Sequence, residues 1–334
     1  MNVLLTKKLM TEDVNYIQSK LNSGINLIFP ERYDEDSLLV HAPKVDVLFG
    51  GFFSERLLEH TINLKFAQVP WTGIDNLDFS LLRRFNVILC NSHSNAFVVA
   101  EHAVSMMMDV AKKLSYHDRE LRKGNWNRIL PDRSNPISPF SKKIVGSTVG
   151  FIGFGAIARY AVKLLAGFEC RYKVFTRSGL IPDEYSKVIT ANPIGDFFSQ
   201  AEDLDFIFVS IPLTEETNGM INHNFFHAMP KGSILINVSR GQVLNQRDLY
   251  DSLKGGHLGG AAIDTWYNYP SPQQPVSLPS LDFPFHLLDQ VVLSPHRAGY
   301  VESGFPHLDD AIENLNRFQR GESLINVVSL ELKY

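Results

Sequence analysis

Cysteine is scarce in this sequence, with two among 334 residues, Cys90 and Cys170. Two isolated thiols, each set among apolar neighbours, exclude a disulfide framework or a cysteine metal cluster. Both are expected to be buried and inert, and no metal is called for. An excess of charge of one sign is missing too. Thirty-two Lys and Arg stand against 36 Asp and Glu, a formal net charge of −4, so nothing favours a polyanionic partner such as nucleic acid. The pairs Lys7-Lys8 and Lys142-Lys143 read as ordinary solvated charge. No run of 18 or more apolar residues is present, so no membrane-spanning helix is expected. The first residues lack a basic segment ahead of a long apolar one, so they read as a strand, not a signal peptide, and a cytoplasmic location is expected. No repeat of solenoid period is present.

What the chain does have is length and apolar content enough for two cores: 44% hydrophobic and 20% charged residues over 334 positions. Short apolar runs at residues 2–6, 25–29, 45–49, 66–69 and 87–90 alternate with helical patterns near 11–22, 54–62 and 77–84. Residues 95–123 contain no Gly or Pro. Apolar residues recur there at Phe97, Val98, Ala103, Met106, Met107, Val110 and Leu114, which predicts one long helix closed by Gly124. The run Met106-Met107-Met108 reads as helix core. A loop with three prolines at 128–140 follows. Further strands are expected at 148–152, 173–176, 206–210, 234–238, 261–265 and 291–294, with helices after Gly155 and at 246–254. A Pro-rich excursion at 270–284 precedes the last strand. The alternation predicts an α/β protein with two doubly wound parallel-sheet domains.

The segment from Thr148 to Ala158 is an apolar strand followed by Gly-x-Gly-x-x-Ala and an amphipathic helix that Gly167 is expected to close. Gly153 permits a tight turn, Gly155 lets main chain approach a pyrophosphate, and Ala158 allows close helix–strand packing. The free N–H groups of the helix start then hold phosphate. The next strand ends in Thr176-Arg177-Ser178, where an NAD site usually carries an acid for the ribose hydroxyls. No acid repels a 2′-phosphate there and Arg177 can pair with one, so NADP is favoured over NAD.

Ligands of open α/β sheets bind beyond the carboxyl ends of strands. Those ends bring Ser210-Ile211-Pro212, Val238-Ser239-Arg240-Gly241, Trp266 to Pro270, and Pro295-His296-Arg297-Ala298 to one edge. One arginine, Arg240, and one histidine, His296, thus emerge on the edge that bears the Gly-rich turn; a guanidinium can hold a carboxylate and an imidazole can exchange a proton near neutral pH.

Together these segments resemble the D-isomer-specific 2-hydroxyacid dehydrogenases over nearly the whole chain. The matching pieces are Val99-Ala100-Glu101-His102, Gly150 through Ala158, Pro212-Leu213-Thr214 with Thr217, Asn237 through Gly241, Ala262-Ile263-Asp264 and Ser294-Pro295-His296. Glu313-Asn314-Leu315 and Gly321-Glu322 fit as well. The resemblance implies a Rossmann NAD(P)-binding domain, residues 99–296, inserted in a flavodoxin-like substrate domain, residues 1–98 plus 297–334. It implies hydride transfer to a 2-oxo acid, with Arg240 on the carboxylate and carbonyl and His296 as acid and base. At the cofactor it implies Gly153, Phe154, Gly155, Ala156 and Ile157. The next strand end adds Thr176, Arg177 and Ser178. Ser210, Ile211, Pro212 and Thr217 join from the loop after residue 209. Val238, Ser239 and Arg240, then Asp264, His296 and Ala298, complete that set. Backbone at Gly50, Gly51, Thr72 and Gly73 is implied for the substrate, with Trp71 either a pocket wall or core. Glu101 and His102 are implied to fix a hinge, and the family usually dimerises through the cofactor domain.

One position departs from the family. Tyr269 stands where a Glu usually bonds the catalytic histidine. A phenol can orient His296 but does not favour its charged form as a carboxylate does. Two other readings stay open: a dinucleotide-sensing binding protein, for which Tyr269 leaves room, and oxidation of a small anion such as formate or phosphite, although formate dehydrogenases carry a Gln where this chain has Tyr269.

Overall fold

The computed structural model describes residues 1–126, 140–302 and 304–334. Apart from Phe140, the proline-bearing loop expected at 128–140 lies outside the described residues. The chain divides into two compact units, Met1–Asn95 with Val301–Tyr334, and Ala96–Tyr300.

The first unit opens with β1 (Asn2–Leu5), α1 (Thr11–Lys20), β2 (Asn26–Ile28), α2 (Glu35–Leu39), β3 (Val47–Phe49) and α3 (Glu55–His60). It continues with β4 (Phe66–Gln68), α4 (Phe79–Arg84) and β5 (Leu89–Cys90). All strands are parallel, in the order β2-β1-β3-β4-β5. Because side chains alternate across a strand, Leu4, Leu48 and Ala67 fall into one core with Leu38 and Leu57. Val3, Leu5, Val47 and Phe49 fall into the other, with Ile17. Short helices start on side-chain caps. Ser37 N–H donates to Asp34, Leu57 N–H to Ser54 and Leu81 N–H to Asp78.

The second unit begins with α5 (Ala96–Lys112) and α6 (Leu114–Arg122). The single helix expected over 95–123 is therefore two. Lys113 sits in the left-handed region at φ 57°, a conformation no Gly or Pro announces. Asp109 explains the break, since its carboxylate accepts from the Ser115 N–H (2.8 Å) and from the Ser115 hydroxyl. Met106 and Met107 pack in the core with Ala158 and Ala161, and Met108 lies against it.

The sheet elements are β6 (Thr148–Ile152), α7 (Ala156–Leu165), β7 (Arg171–Thr176), β8 (Ile189–Pro193), α8 (Phe197–Gln200) and β9 (Phe206–Val209). Then come α9 (His223–Ala228), β10 (Ile234–Asn237), α10 (Gln246–Lys254), β11 (Gly260–Ile263) and β12 (Val291–Leu293). The order is β12-β11-β10-β9-β6-β7-β8, all parallel, and direction of winding reverses between β6 and β9. The chain after α7 turns at Glu169, φ 53°, and not at Gly167 as expected. Cys170 is half-buried, against the expectation of a buried thiol. Cys90 is buried, which pushes its thiol up to about 12.

The chain returns to the first unit with α11 (Pro306–Gln319). Its fully buried Asn314 donates to Gln68 Oε1 (2.8 Å) and Ile325 O (2.9 Å), and accepts from Ile325 N–H (2.8 Å). No described helix is long and apolar enough to cross a membrane.

Candidate active site

The turn after β6 is tight by necessity. Gly153 has φ +86°, and a Cβ on it would lie 2.6 Å from Ile211 Cγ2 and 3.0 Å from Ser210 O. The loops after β6 and β9 thus meet where the strand order reverses. Gly155 differs. A Cβ there would meet nothing within 4 Å, and α7 starts on it with no side-chain cap. The first N–H groups of α7 therefore have open ground in front of them, which suits a phosphate. Ser210 Oγ nearby is buried and has no hydrogen-bond partner among the described residues. An orphaned hydroxyl beside an uncapped helix start fits a dinucleotide. Ala158 is buried, as close packing of α7 requires, Phe154 packs edge-on against Tyr185, and Ile157 is half-buried in the same core.

At the end of β7 the Thr176 hydroxyl donates to Leu180 O (3.3 Å), and Leu180 N–H donates to Ser178 Oγ (3.3 Å). Gly179 closes this turn against Pro193, 2.9 Å from a Cβ to the proline nitrogen. Arg177 and Ser178 are exposed, and residues 176–180 include no acid. After β9, Thr217 ties its loop by donating to Pro212 O (2.7 Å) and accepting from Thr214 N–H (2.8 Å).

Fully buried Asn237 sets the loop after β10. Its amide donates to Arg240 O (3.1 Å), and its oxygen accepts from the Ser239 N–H (3.1 Å) and hydroxyl (2.7 Å). The Arg240 guanidinium donates to Ser239 O (2.8 Å), and Val238 is buried. Gly241 follows because a Cβ there would lie 2.5 Å from Trp266 O, in the loop after β11.

Asp264 follows β11 and is 1% exposed. Its carboxylate accepts from the N–H groups of Arg297 (2.8 Å) and Ala298 (3.1 Å) and from the Ser294 hydroxyl. These partners bracket His296, which takes φ +55°, a conformation costing a non-glycine residue about 1 kcal/mol. His102 on α5 shares a 2.9 Å hydrogen bond with Ser294 Oγ, and Trp266 Nε1–H donates to Ser294 O (2.9 Å). His102 thus ties α5 to the histidine loop of the same unit. The Tyr269 ring lies 5.6 Å from that of His296, tilted 55°, and its phenol oxygen accepts from Trp266 N–H (3.0 Å). Arg240, Tyr269 and His296 thus follow β10, β11 and β12 on one edge.

The remaining expected residues belong to the first unit. Gly50 has φ +140°, and Gly51 lies under the Trp71 indole, 2.6 Å from a Cβ to Cζ2. Trp71, Thr72 and Gly73 are half-buried, and the Thr72 hydroxyl donates to Ser92 O (2.7 Å).

Residues 104–298, more than half of the chain, match the model of the D-isomer specific 2-hydroxyacid dehydrogenase, NAD binding domain. A glyoxylate/hydroxypyruvate reductase of Arabidopsis thaliana is 28% identical over 282 residues, 83% of this chain and 80% of that protein. A D-3-phosphoglycerate dehydrogenase of Archaeoglobus fulgidus is 26% identical over 99% of this chain, which spans only 59% of that longer protein. A D-isomer specific 2-hydroxyacid dehydrogenase of Xanthobacter autotrophicus, solved with NADPH, has the same fold: TM-score 0.76, 19% identity, 100% of this chain and 99% of that one. The chain belongs to the D-isomer specific 2-hydroxyacid dehydrogenase family of oxidoreductases, and its second unit carries that family's NAD-binding domain.

Proposed function

We propose that this chain moves a hydride between a nicotinamide dinucleotide and C2 of a 2-oxo acid, or of the D-2-hydroxy acid in reverse. The observation that carries this reading is the departure of Arg240 and His296 from β10 and β12, on the sheet edge that bears the Gly153 turn. The nicotinamide, when bound, supplies or accepts the hydride. Gly153, Gly155, Ala156 and the start of α7 hold the pyrophosphate through main-chain N–H groups, and Ser210 Oγ gains a partner. The Arg240 guanidinium holds the substrate carboxylate and places positive charge where the carbonyl oxygen becomes negative. His296 gives that oxygen its proton in reduction and takes it back in oxidation. Asp264, Ser294 and His102 hold the histidine loop in place, and the Tyr269 ring orients the imidazole without adding negative charge. Asp264 and Ala298 also stand at the cofactor in this reading, with Ile211, Pro212 and Thr217.

The first unit supplies the substrate's main-chain donors at Gly50, Gly51, Thr72 and Gly73, with Trp71 as a wall. Residues 1–98 and 297–334 make the substrate domain, and 99–296 the cofactor domain. The name of the Arabidopsis relative supports 2-oxo acids of the glyoxylate and hydroxypyruvate kind. Arg177 and the absence of an acid in residues 176–180 support NADP over NAD. We place the enzyme in the cytoplasm as a homodimer joined through the cofactor domain.

The test is a panel of 2-oxo acids assayed separately with NADPH and NADH. Turnover with NADPH is expected, and Arg240→Ala is expected to lower kcat/KM by about 10³-fold. A preference for NADH would refute the role of Arg177. Tight dinucleotide binding with turnover of none of the acids would favour the sensing protein, the reading that Tyr269 leaves open.

A further inference from the structure

Lys7 read in the sequence as ordinary surface charge, and its position in the first unit gives it a task. β1 ends at Leu5, yet the pairing runs on, with Thr6 N–H donating to Phe49 O (2.9 Å). Buried Thr6 also accepts from Phe52 N–H (3.4 Å), so Lys7 emerges at the carboxyl edge beside the end of β3. Gly50 is bare for this reason, because a Cβ there would lie 2.5 Å from Thr6 Oγ1 and 3.3 Å from Lys7 N. Gly51 is bare for another, the Trp71 indole that lies upon it. The Lys7 ammonium stands 4.8 Å from the Trp71 ring centroid. Asn91 Nδ2–H donates to Thr72 O (2.9 Å) and steadies the indole's loop. Three strand ends, those of β1, β3 and β4, therefore bring together an ammonium, a bare stretch of main chain and a flat apolar wall.

An ammonium on an aromatic face is held in position and keeps N–H donors for another acceptor. Lys7 makes no ion pair among the described residues, whereas Lys20 of the same unit is paired with Asp309 at 3.0 Å.

We infer that Lys7 and Trp71 form a subsite for a second carboxylate, carried at the far end of a dicarboxylic 2-oxo acid. The inference rests on the proposed reading that the main chain at Gly50, Gly51, Thr72 and Gly73 takes the substrate. The methylenes of such a substrate lie along the indole, and its terminal carboxylate meets the ammonium. An ammonium is a compact point charge whose N–H donors suit a singly charged carboxylate.

The test compares 2-oxoglutarate with 2-oxopentanoate, which has the same chain length and ends in a methyl group. The ratio of their kcat/KM values is expected to favour the dicarboxylate in the wild type. Lys7→Gln is expected to cut that ratio by about tenfold, mainly through KM. Lys7→Glu is expected to invert it and to improve turnover of the guanidino 2-oxo acid derived from arginine, a gain that mere structural damage does not produce. Lys8→Gln, a change on the next exposed residue, is the control and should leave the ratio within about twofold. Calorimetric titration of 2-oxoglutarate into wild type and Lys7→Gln separates the two claims. Turnover with the same ratio in both proteins overturns the subsite and leaves the reaction standing. Binding that needs Lys7 without turnover of any acid keeps the subsite and overturns the reaction. Neither binding nor turnover overturns both.

Discussion

In the first unit the ends of β1, β3 and β4 meet through bare main chain. Gly50 yields to Thr6 and Gly51 yields to Trp71, each at a distance no Cβ tolerates. In the second unit the ends of β10, β11 and β12 meet through buried polar side chains. Asn237 organises the Arg240 loop, and Asp264 with Ser294 and His102 organises the His296 loop. Both sheets are parallel, and both leave their loops at the carboxyl edge. The difference is the means of fixing a loop: steric exclusion in one, hydrogen-bond satisfaction in the other. A steric lock fails when an atom is added. A polar lock fails when an acceptor is removed, because buried donors then lose their partners.

The largest expected effect breaks the polar lock. Asp264→Ala strands two backbone N–H groups and a hydroxyl, and should lower stability by about 4 kcal/mol in urea unfolding. Asp264→Asn, which keeps an acceptor oxygen, should cost clearly less. A loss under about 1 kcal/mol for the alanine variant would mean that the network does not hold the loop.

The steric lock is next. Gly50→Ala should cost about 3 kcal/mol, since it meets both a forbidding φ and the Thr6 hydroxyl. Adding Thr6→Ala removes the nearest atom and should restore about 1 kcal/mol, read as a coupling in a double-mutant cycle. Strict additivity of the two changes would refute the steric account.

A third test leaves both locks intact and alters charge beside the imidazole. Tyr269→Glu puts a carboxylate near His296, which favours imidazolium, so carbonyl reduction should persist to higher pH by about one unit. A pH–rate profile that does not move would show that position 269 has no electrostatic hold on His296.

The smallest effect belongs to the first unit. Burial holds His307 below the ordinary imidazole value of 6.5, against the pull of Asp13 and Asp309. The unfolded chain therefore takes up this proton before the folded one. Stability of the first unit should be full above about pH 6.5 and should decline as pH falls below it. Hydrogen exchange in α11 should report the decline, and His307→Gln should flatten it.

Much of this architecture was legible because apolar runs bounded by turns mark buried parallel strands. β6, β9 and β10 are buried along their whole length and read plainly. β8 was not foreseen. It lies at the sheet edge with four of its five residues at least partly exposed, so its pattern is weak. α2 was missed because five residues carry too little periodicity. Of the candidate site, the glycine turn, Arg240 and His296 stood out by strand-end position. The bond of His102 to Ser294 spans 192 residues, and no local pattern encodes such a tie. Lys7 reads as surface charge for the same reason, since Trp71 lies 64 positions away.

The order of apolar runs and the Gly-x-Gly-x-x-Ala turn settled the class of fold without coordinates, because both arise from contacts between near neighbours in the chain, and the ordered motifs from Val99 to Glu322 carried the family resemblance. The break at Lys113, the grip of Asp264 on the histidine loop and the stacking of Lys7 on Trp71 were decided only in three dimensions. Each joins residues that local periodicity does not relate, and a buried carboxylate or an exposed ammonium takes its meaning from what the fold sets beside it.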